Sequence, residues 1–150
     1  MTDNTAIDEW IIITDAGFQE PTQLVLEEGL DALLSDDMAQ AVFLSNDTPA
    51  DDVSPHFERL ELIIIDFPSF ADGRGFSLAT ELRRLGFDKR LQARGHIISD
   101  QYAQARRCGF DEVAITVEQA RRQPQEQWLE QVSAIDETYQ VRLEQAVKVA

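Results

Sequence analysis

Residues 67–111 read FPSFADGRGFSLATELRRLGFDKRLQARGHIISDQYAQARRCGFD, and the fold follows from how this stretch divides. It is entered from Leu62–Asp66 (LIIID), a continuous apolar run of the kind found in parallel sheets covered on both faces. A tight turn follows at Asp72-Gly73-Arg74-Gly75. Ser77 is placed to cap the next helix, whose apolar face is Leu78, Ala79, Leu82 and Leu85. Gly86 stands where a helix C-terminus favours glycine. Ala93–Ile98 leads into a strand centred on His96-Ile97-Ile98. Ser99 is placed to cap a second helix over about 100–108, which Gly109 stops.

The same alternation extends both ways. Upstream, Ala41–Leu44 reads as a buried strand, 45–52 as a loop around Pro49, and Val53–Leu60 as a short helix with Pro55 in its first turn. Downstream, Val113–Val117 reads as a strand. Pro124 then opens a long helix with Trp128, Val132, Ile135, Tyr139 and Leu143 on one stripe, which is core or a homodimer face. From residue 41 the order is therefore β-α-β-α-β-α-β-α, which predicts an α/β fold: a mostly parallel sheet of repeated βα units joined by right-handed crossovers. An open three-layer sheet and a partial-barrel-like arc both satisfy that order. Nearer the start, residues 1–9 read as a disordered tail and Trp10–Thr14 (WIIIT) as a strand. Asp15–Gly17 is a turn, and Gln23–Leu26 is a second strand that would pair with the first as a β-hairpin-like segment. A short acidic helix covers about 27–37. With no linker or internal repeat, residues 10–150 are expected to form a single domain.

Composition bounds the partners. No apolar run approaches the ~20 residues of a membrane helix, and the acidic start lacks the regions of a signal peptide, so a cytoplasmic protein without membrane contact is expected. The single Cys108 fits a reducing compartment, and two histidines with one cysteine give no zinc-finger spacing. The net charge of −15 disfavours nucleic acid. It is unevenly spread. Residues 1–61 hold fifteen acids against Arg59 alone, whereas residues 74–107 hold eight bases against three acids. That basic segment suits a small anion or an acidic patch on another protein; alternatively, the two halves neutralise each other across the fold.

In parallel α/β sheets, sites form at the carboxyl ends of strands. Two such corners are visible, Asp66–Ser77 and Ile98–Gln101. If their strands are neighbours, Asp72, Arg74, Ser77, Asp100 and Gln101 share a rim. Gly73 and Gly75 flank Arg74 and permit positive φ angles. The following helix N-terminus favours negative charge, and Arg74 supplies a forked donor. The functional reading is a corner for sulfate, sulfite, phosphate or a carboxylate; the structural one is that Asp72 pairs with Arg74 or closes the turn on its own backbone. Asp100 and Gln101 equally suit the first turn of a helix. No catalytic residue, metal site or cofactor motif is readable.

The segment FPSFADGRGFSLATELRRLGF, followed by Asp100-Gln101 and RRCGFDEV, resembles the bacterial domain family of unknown function DUF934, with likeness over roughly 24–140. The resemblance carries over Phe67, Pro68, Phe70, Asp72, Gly73, Arg74, Gly75, Ser77, Leu82, Arg83, Gly95, Asp100, Gln101, Cys108, Gly109, Phe110 and Asp111, with Tyr139-Gln140 near the end. This adds Arg83 to the candidate ligand-binding residues. Members are labelled oxidoreductases of sulfite reduction from their gene neighbourhood with sulfate assimilation enzymes. The resemblance thus implies an accessory protein of assimilatory sulfate and sulfite reduction that acts with sulfite reductase or another sulfur-assimilation enzyme. The alternative is a small enzyme, or an anionic-metabolite-binding module, using the same corner. Two departures stand out. Gln92-Ala93-Arg94-Gly95 replaces the family's Arg-Ala-x-Gly, so Arg94 is expected to stand in for that arginine only after a backbone shift, and Lys89 replaces a glycine.

Overall fold

A computed structural model describes residues 10–19, 26–35, 38–133 and 135. The expected tail at 1–9, the proposed strand residues Gln23–Val25, and Tyr139 and Leu143 of the long helix lie outside these residues.

Seven strands form one sheet: β1 (Trp10–Thr14), β2 (Gly17–Gln19), β3 (Leu26–Glu28), β4 (Ala41–Leu44), β5 (Leu62–Phe67), β6 (Arg90–Gly95) and β7 (Glu112–Thr116). Their spatial order is β2-β1-β7-β6-β5-β4-β3. From β3 to β7 every pairing is parallel. β1 pairs antiparallel with both β7 and β2, so the fold is the expected α/β, mostly parallel architecture with an N-terminal hairpin. The hairpin's second strand is Gly17–Gln19. Leu26 belongs instead to β3 at the opposite edge of the sheet, beside β4. The helices are α1 (Gly29–Ser35), α2 (Ala50–Val53), α3 (Arg74–Arg84), α4 (Tyr102–Cys108) and α5 (Val117–Arg122), with a further helix, α6, over 125–133. Single turns of 3₁₀-helix at Ser54–His56 and Ser99–Gln101 precede Phe57 and α4.

Because β3 to β7 are neighbours in chain order, each crossover steps in the same direction. Right-handed crossovers that step one way place their helices on one face. The packing agrees. Ile63, Ile65 and Phe67 join the main core with Leu78, Ala79 and Leu82 of α3, Tyr102 and Ala105 of α4 and Trp128 of α6. The alternate residues Leu62 and Ile64 form a separate cluster with Ala41 and Phe43. Strand β5 is thus apolar and buried on both faces as expected, but the described helices are on one side.

Strand β6 differs from its sequence reading. It runs over Arg90–Gly95, and His96-Ile97-Ile98 lies beyond it. Only Leu91 and Ala93 face the main core. Arg90, Gln92 and Arg94 face the other side, so the strand alternates polar and apolar residues with a period of two. On that side Arg90 donates to both carboxylate oxygens of Glu112 at 2.9 and 2.8 Å. Gln92 also donates to Glu112, and Arg94 Nε donates to Gln92 Oε1 at 3.2 Å. Glu112 is 4% exposed, and a buried carboxylate is tolerated only when paired and hydrogen-bonded in this way. Gln92 and Arg94 share a face without any backbone shift, and the Arg94 guanidinium stacks 5.1 Å from Trp10 and 5.6 Å from Phe43.

Phe67, the last residue of β5, is wedged between two glycines. A Cβ on Gly75 would lie 2.5 Å from its ring, and a Cβ on Gly95, where φ is +127°, would lie 2.5 Å from its carbonyl oxygen. The ring meets Phe76 and Phe110 edge-on, at 5.0 and 5.8 Å. Gly75→Ala separates two effects. Helix propensity alone would stabilise α3 by up to about 1 kcal/mol, whereas the clash with Phe67 should destabilise the fold by about 1–3 kcal/mol. We expect the second, read as a lower urea midpoint; a raised midpoint would show that Phe67 has room to move.

Candidate functional site

β5 and β6 are neighbours, so the corners that follow them are side by side. One hydrogen bond joins them. Gln101 Nε2 donates to the Phe70 carbonyl at 2.9 Å, while Gln101 Oε1 accepts from Ile98 N at 3.0 Å. Gln101 therefore ties the 67–73 loop to the 3₁₀ turn. Ser99 does not cap α4; it is buried, and its N–H donates to Gln123 Oε1 at 3.2 Å. Asp100 is exposed in the first turn.

Helix α3 starts at Arg74, with Gly73 at φ −89° as its cap residue. Neither Gly73 nor Gly75 adopts a positive φ; Gly75 is required by the Phe67 ring, not by backbone conformation. Ser77 sits inside the helix, and the capping role it was expected to fill falls to Asp72. Asp72 Oδ1 accepts from Arg74 N and Nε, both at 3.1 Å, and Oδ2 accepts from Arg74 Nη2 at 2.8 Å and Asn46 Nδ2 at 3.0 Å. The Arg74 side chain, then its backbone N–H, then Asn46 hold the Asp72 carboxyl well below the usual carboxylate range. Both structural readings of the turn are thus realised together.

Arg74 uses two of its five N–H groups on Asp72, and its side chain is 63% exposed. It lines a cleft of about 400 Å³ between α3 and the loop after β4, with Asn46, Asp47, Thr48, Ser77 and Glu81. Two further carboxylates, Asp47 and Glu81, therefore share this cleft. An incoming anion would meet Asp47, a Glu81 carboxylate already held by Arg84 and a guanidinium already matched by Asp72, so the cleft's charge suits a neutral or zwitterionic group better than a bare oxyanion. Asn46 was not legible as a site residue: it lies twenty-six positions from Asp72, in a segment that reads only as loop.

Arg83 is not at this corner. Its five N–H groups all donate to protein at the opposite end of the strands: Nε to Gly109 O at 2.9 Å, Nη1 to Phe87 O at 2.8 Å and Lys89 O at 2.7 Å, Nη2 to Gly109 O at 2.7 Å and Asp111 Oδ2 at 2.9 Å. A saturated guanidinium has nothing left for a ligand. Of the sequence candidates, Asp72, Gly73, Arg74, Gly75, Ser77, Asp100 and Gln101 lie along the rim, and Arg83 does not.

Other titratable groups stand nearby. Asp66, at the end of β5, has its carboxyl pushed up by burial, with His96 acting in the opposite direction. It lines a second cavity, of about 550 Å³, with Phe43, Ser45, Asp47 and Thr48. His96 is exposed, and its ring meets Phe70 edge-on at 5.2 Å. Cys108 is a half-buried free thiol. Among the described residues no group of three or more His, Cys, Asp or Glu side chains is arranged to hold a metal ion, and no helix is long and apolar enough to cross a membrane.

Two outcomes test this geometry. Arg83→Lys retains the charge but loses the fork, leaving three N–H groups for four acceptors; it should cost about 2–4 kcal/mol in a urea melt, and a cost under about 0.5 kcal/mol, typical of surface sites, would contradict the clamp. In a carboxyl NMR titration, Asp72 should stay ionised well below 3.8 and return toward the ordinary value in Arg74→Ala. Because its folded pKa is depressed, its contribution to stability is complete above the ordinary carboxyl range and is lost progressively as pH falls from there through the folded value.

Comparison with known proteins is consistent with the motif. No curated protein matches the chain. The family model described as bacterial protein of unknown function (DUF934) matches residues 41–149, which takes in β4 to β7 and both corners. On that match, the chain belongs to the DUF934 family of bacterial proteins.

Proposed function

We propose that this protein is an accessory component of assimilatory sulfate and sulfite reduction, which docks on sulfite reductase or another enzyme of that route through its acidic surface. The pathway is supported by the resemblance carried by the 67–111 segment. The mode of action is supported by one observation: the basic segment is consumed internally. At least six of its eight bases take carboxylate partners among the described residues. Arg74 pairs with Asp72 (2.8 Å), Arg83 with Asp111 (2.9 Å), Lys89 with Glu61 (3.3 Å), Arg90 with Glu112 (2.8 Å), Arg106 with Asp15 (3.0 Å), and Arg84 with Glu81. Lys89 and Arg106 reach into the acidic N-terminal part of the chain, so neutralisation across the fold accounts for part of the asymmetry. Asp31, Asp47, Asp51, Asp52 and Glu58 are exposed and form no ion pair among the described residues. Such a surface steers toward a basic face on another protein.

The alternative, an enzyme or binding module for an anionic metabolite at the Asp72–Gly75 turn, has the cleft in its favour and Asp47 and Glu81 against it. Growth separates the readings. A strain lacking the gene should fail on sulfate and sulfite and grow on sulfide or cysteine. Folded Arg74→Ala should restore growth, and the triple change Asp47→Lys, Asp51→Lys and Asp52→Lys should not. Loss of rescue in Arg74→Ala alone would favour the metabolite reading, and normal growth of the deletion strain on all four sources would remove the pathway assignment.

A further inference from the structure

We propose that the loop tip Pro68–Ala71, with Phe70 as its anchor, is the contact point for a basic protein face that carries an apolar pocket. This rests on the docking reading above and names the surface it would use.

All four tip residues are exposed, and Phe70 is 47% exposed. A phenyl ring left in water at a loop tip contributes little to the fold. Yet this tip is held in one conformation from several directions. The Phe70 carbonyl accepts from Gln101 Nε2 at 2.9 Å. Inside the loop, Ala71 N donates to Ser69 Oγ at 3.2 Å and Asp72 N to Ser69 O at 3.1 Å. The ring itself rests edge-on against His96, 5.2 Å between centroids and 80° between planes. Fixing a side chain before binding removes the ordering cost that association otherwise carries, and rigid aromatic anchors dominate the energetics of protein interfaces.

The surroundings set the sign of the partner. Asp100 is exposed beside Gln101, and Asp47 is exposed on the other flank, next to Arg74. The positive charge of Arg74 is met by Asp72 at 2.8 Å. The tip is therefore an apolar point flanked by carboxylates. A face with a hydrophobic pocket bordered by lysine or arginine complements both features, whereas an acidic face would be repelled.

The test measures binding of the full chain to purified sulfite reductase haemoprotein from the same bacterium by calorimetry, at two salt concentrations. Phe70→Ala should weaken binding at least about tenfold, and Asp100→Lys should weaken it while flattening the salt dependence. Leu34→Ala, which trims another exposed apolar side chain far from the tip in sequence, should leave Kd within about twofold. Melting curves establish that each variant is folded. If wild type binds and folded Phe70→Ala binds equally well, the tip is not the anchor, although the docking reading survives. If wild type binds neither the reductase nor any other purified enzyme of the route, both the docking reading and this surface are overturned.

Discussion

The Arg83 guanidinium is the interaction on which the lower end of the molecule depends. From α3 it reaches the loop into β6 through Phe87 and Lys89, the end of α4 through Gly109, and the start of β7 through Asp111. The same Asp111 oxygen accepts from Leu91 N at 3.0 Å, so one carboxylate joins β6 to β7 as well. Gly109 has to be glycine on two counts: its φ is +115°, and a Cβ there would lie 2.6 Å from Arg83 Cγ. Two consecutive βα units are thereby held in register by one side chain. A guanidinium does this where an ammonium could not, because its five donors diverge in a fixed plane.

The upper end is organised differently, around volume instead of charge. Phe67 fills the space that Gly75 and Gly95 leave, and its carbonyl accepts from His96 N at 2.8 Å as the chain turns out of β6. Many of the residues that carry the resemblance are accounted for by these two devices. Arg83, Gly109 and Asp111 belong to the clamp, and Phe67, Gly75, Gly95 and Phe110 belong to the wedge. Outside both, Leu82 packs in the core and Cys108 ends α4 beside the clamp, while Asp72 paired with Arg74, Ser77, Asp100, Gln101 and the exposed Phe70 lie along the rim.

The parts of this arrangement legible in the sequence are those in which one residue type has one common use. WIIIT, AVFL and LIIID are strands because runs of β-branched and aromatic residues pack well on a pleated surface, and their alternation with helices gives the parallel order. The corners adjoin because consecutive βα units usually do. The misreadings arise where a partner is distant. The strand read as centred on His96-Ile97-Ile98 is Arg90–Gly95, where Glu112, on the next strand, supplies the buried acceptor for Arg90 and Gln92. Gly75 suggests an unusual backbone angle, but the reason for it is a ring eight residues earlier. Ser77 and Ser99 look like caps, yet Asp72 serves α3 and Gln123 takes up Ser99. Arg83 looks like an anion ligand because a sequence does not reveal that four acceptors already take all five of its N–H groups.

The antiparallel seam between β1 and β7 has a consequence for how the chain is made. Ile12 lies opposite Ala114, a separation of about a hundred residues, the kind of non-local pairing that slows folding. During synthesis β3 to β6 can add in sequence, each on its predecessor, while the first strand, already emerged, has no neighbour to receive it. The hairpin made first must wait for the strand made last. Until β7 arrives, Trp10 to Thr14 has a partner only in β2 and leaves its other edge open, and this interval is when the nascent protein is most exposed to association with other chains.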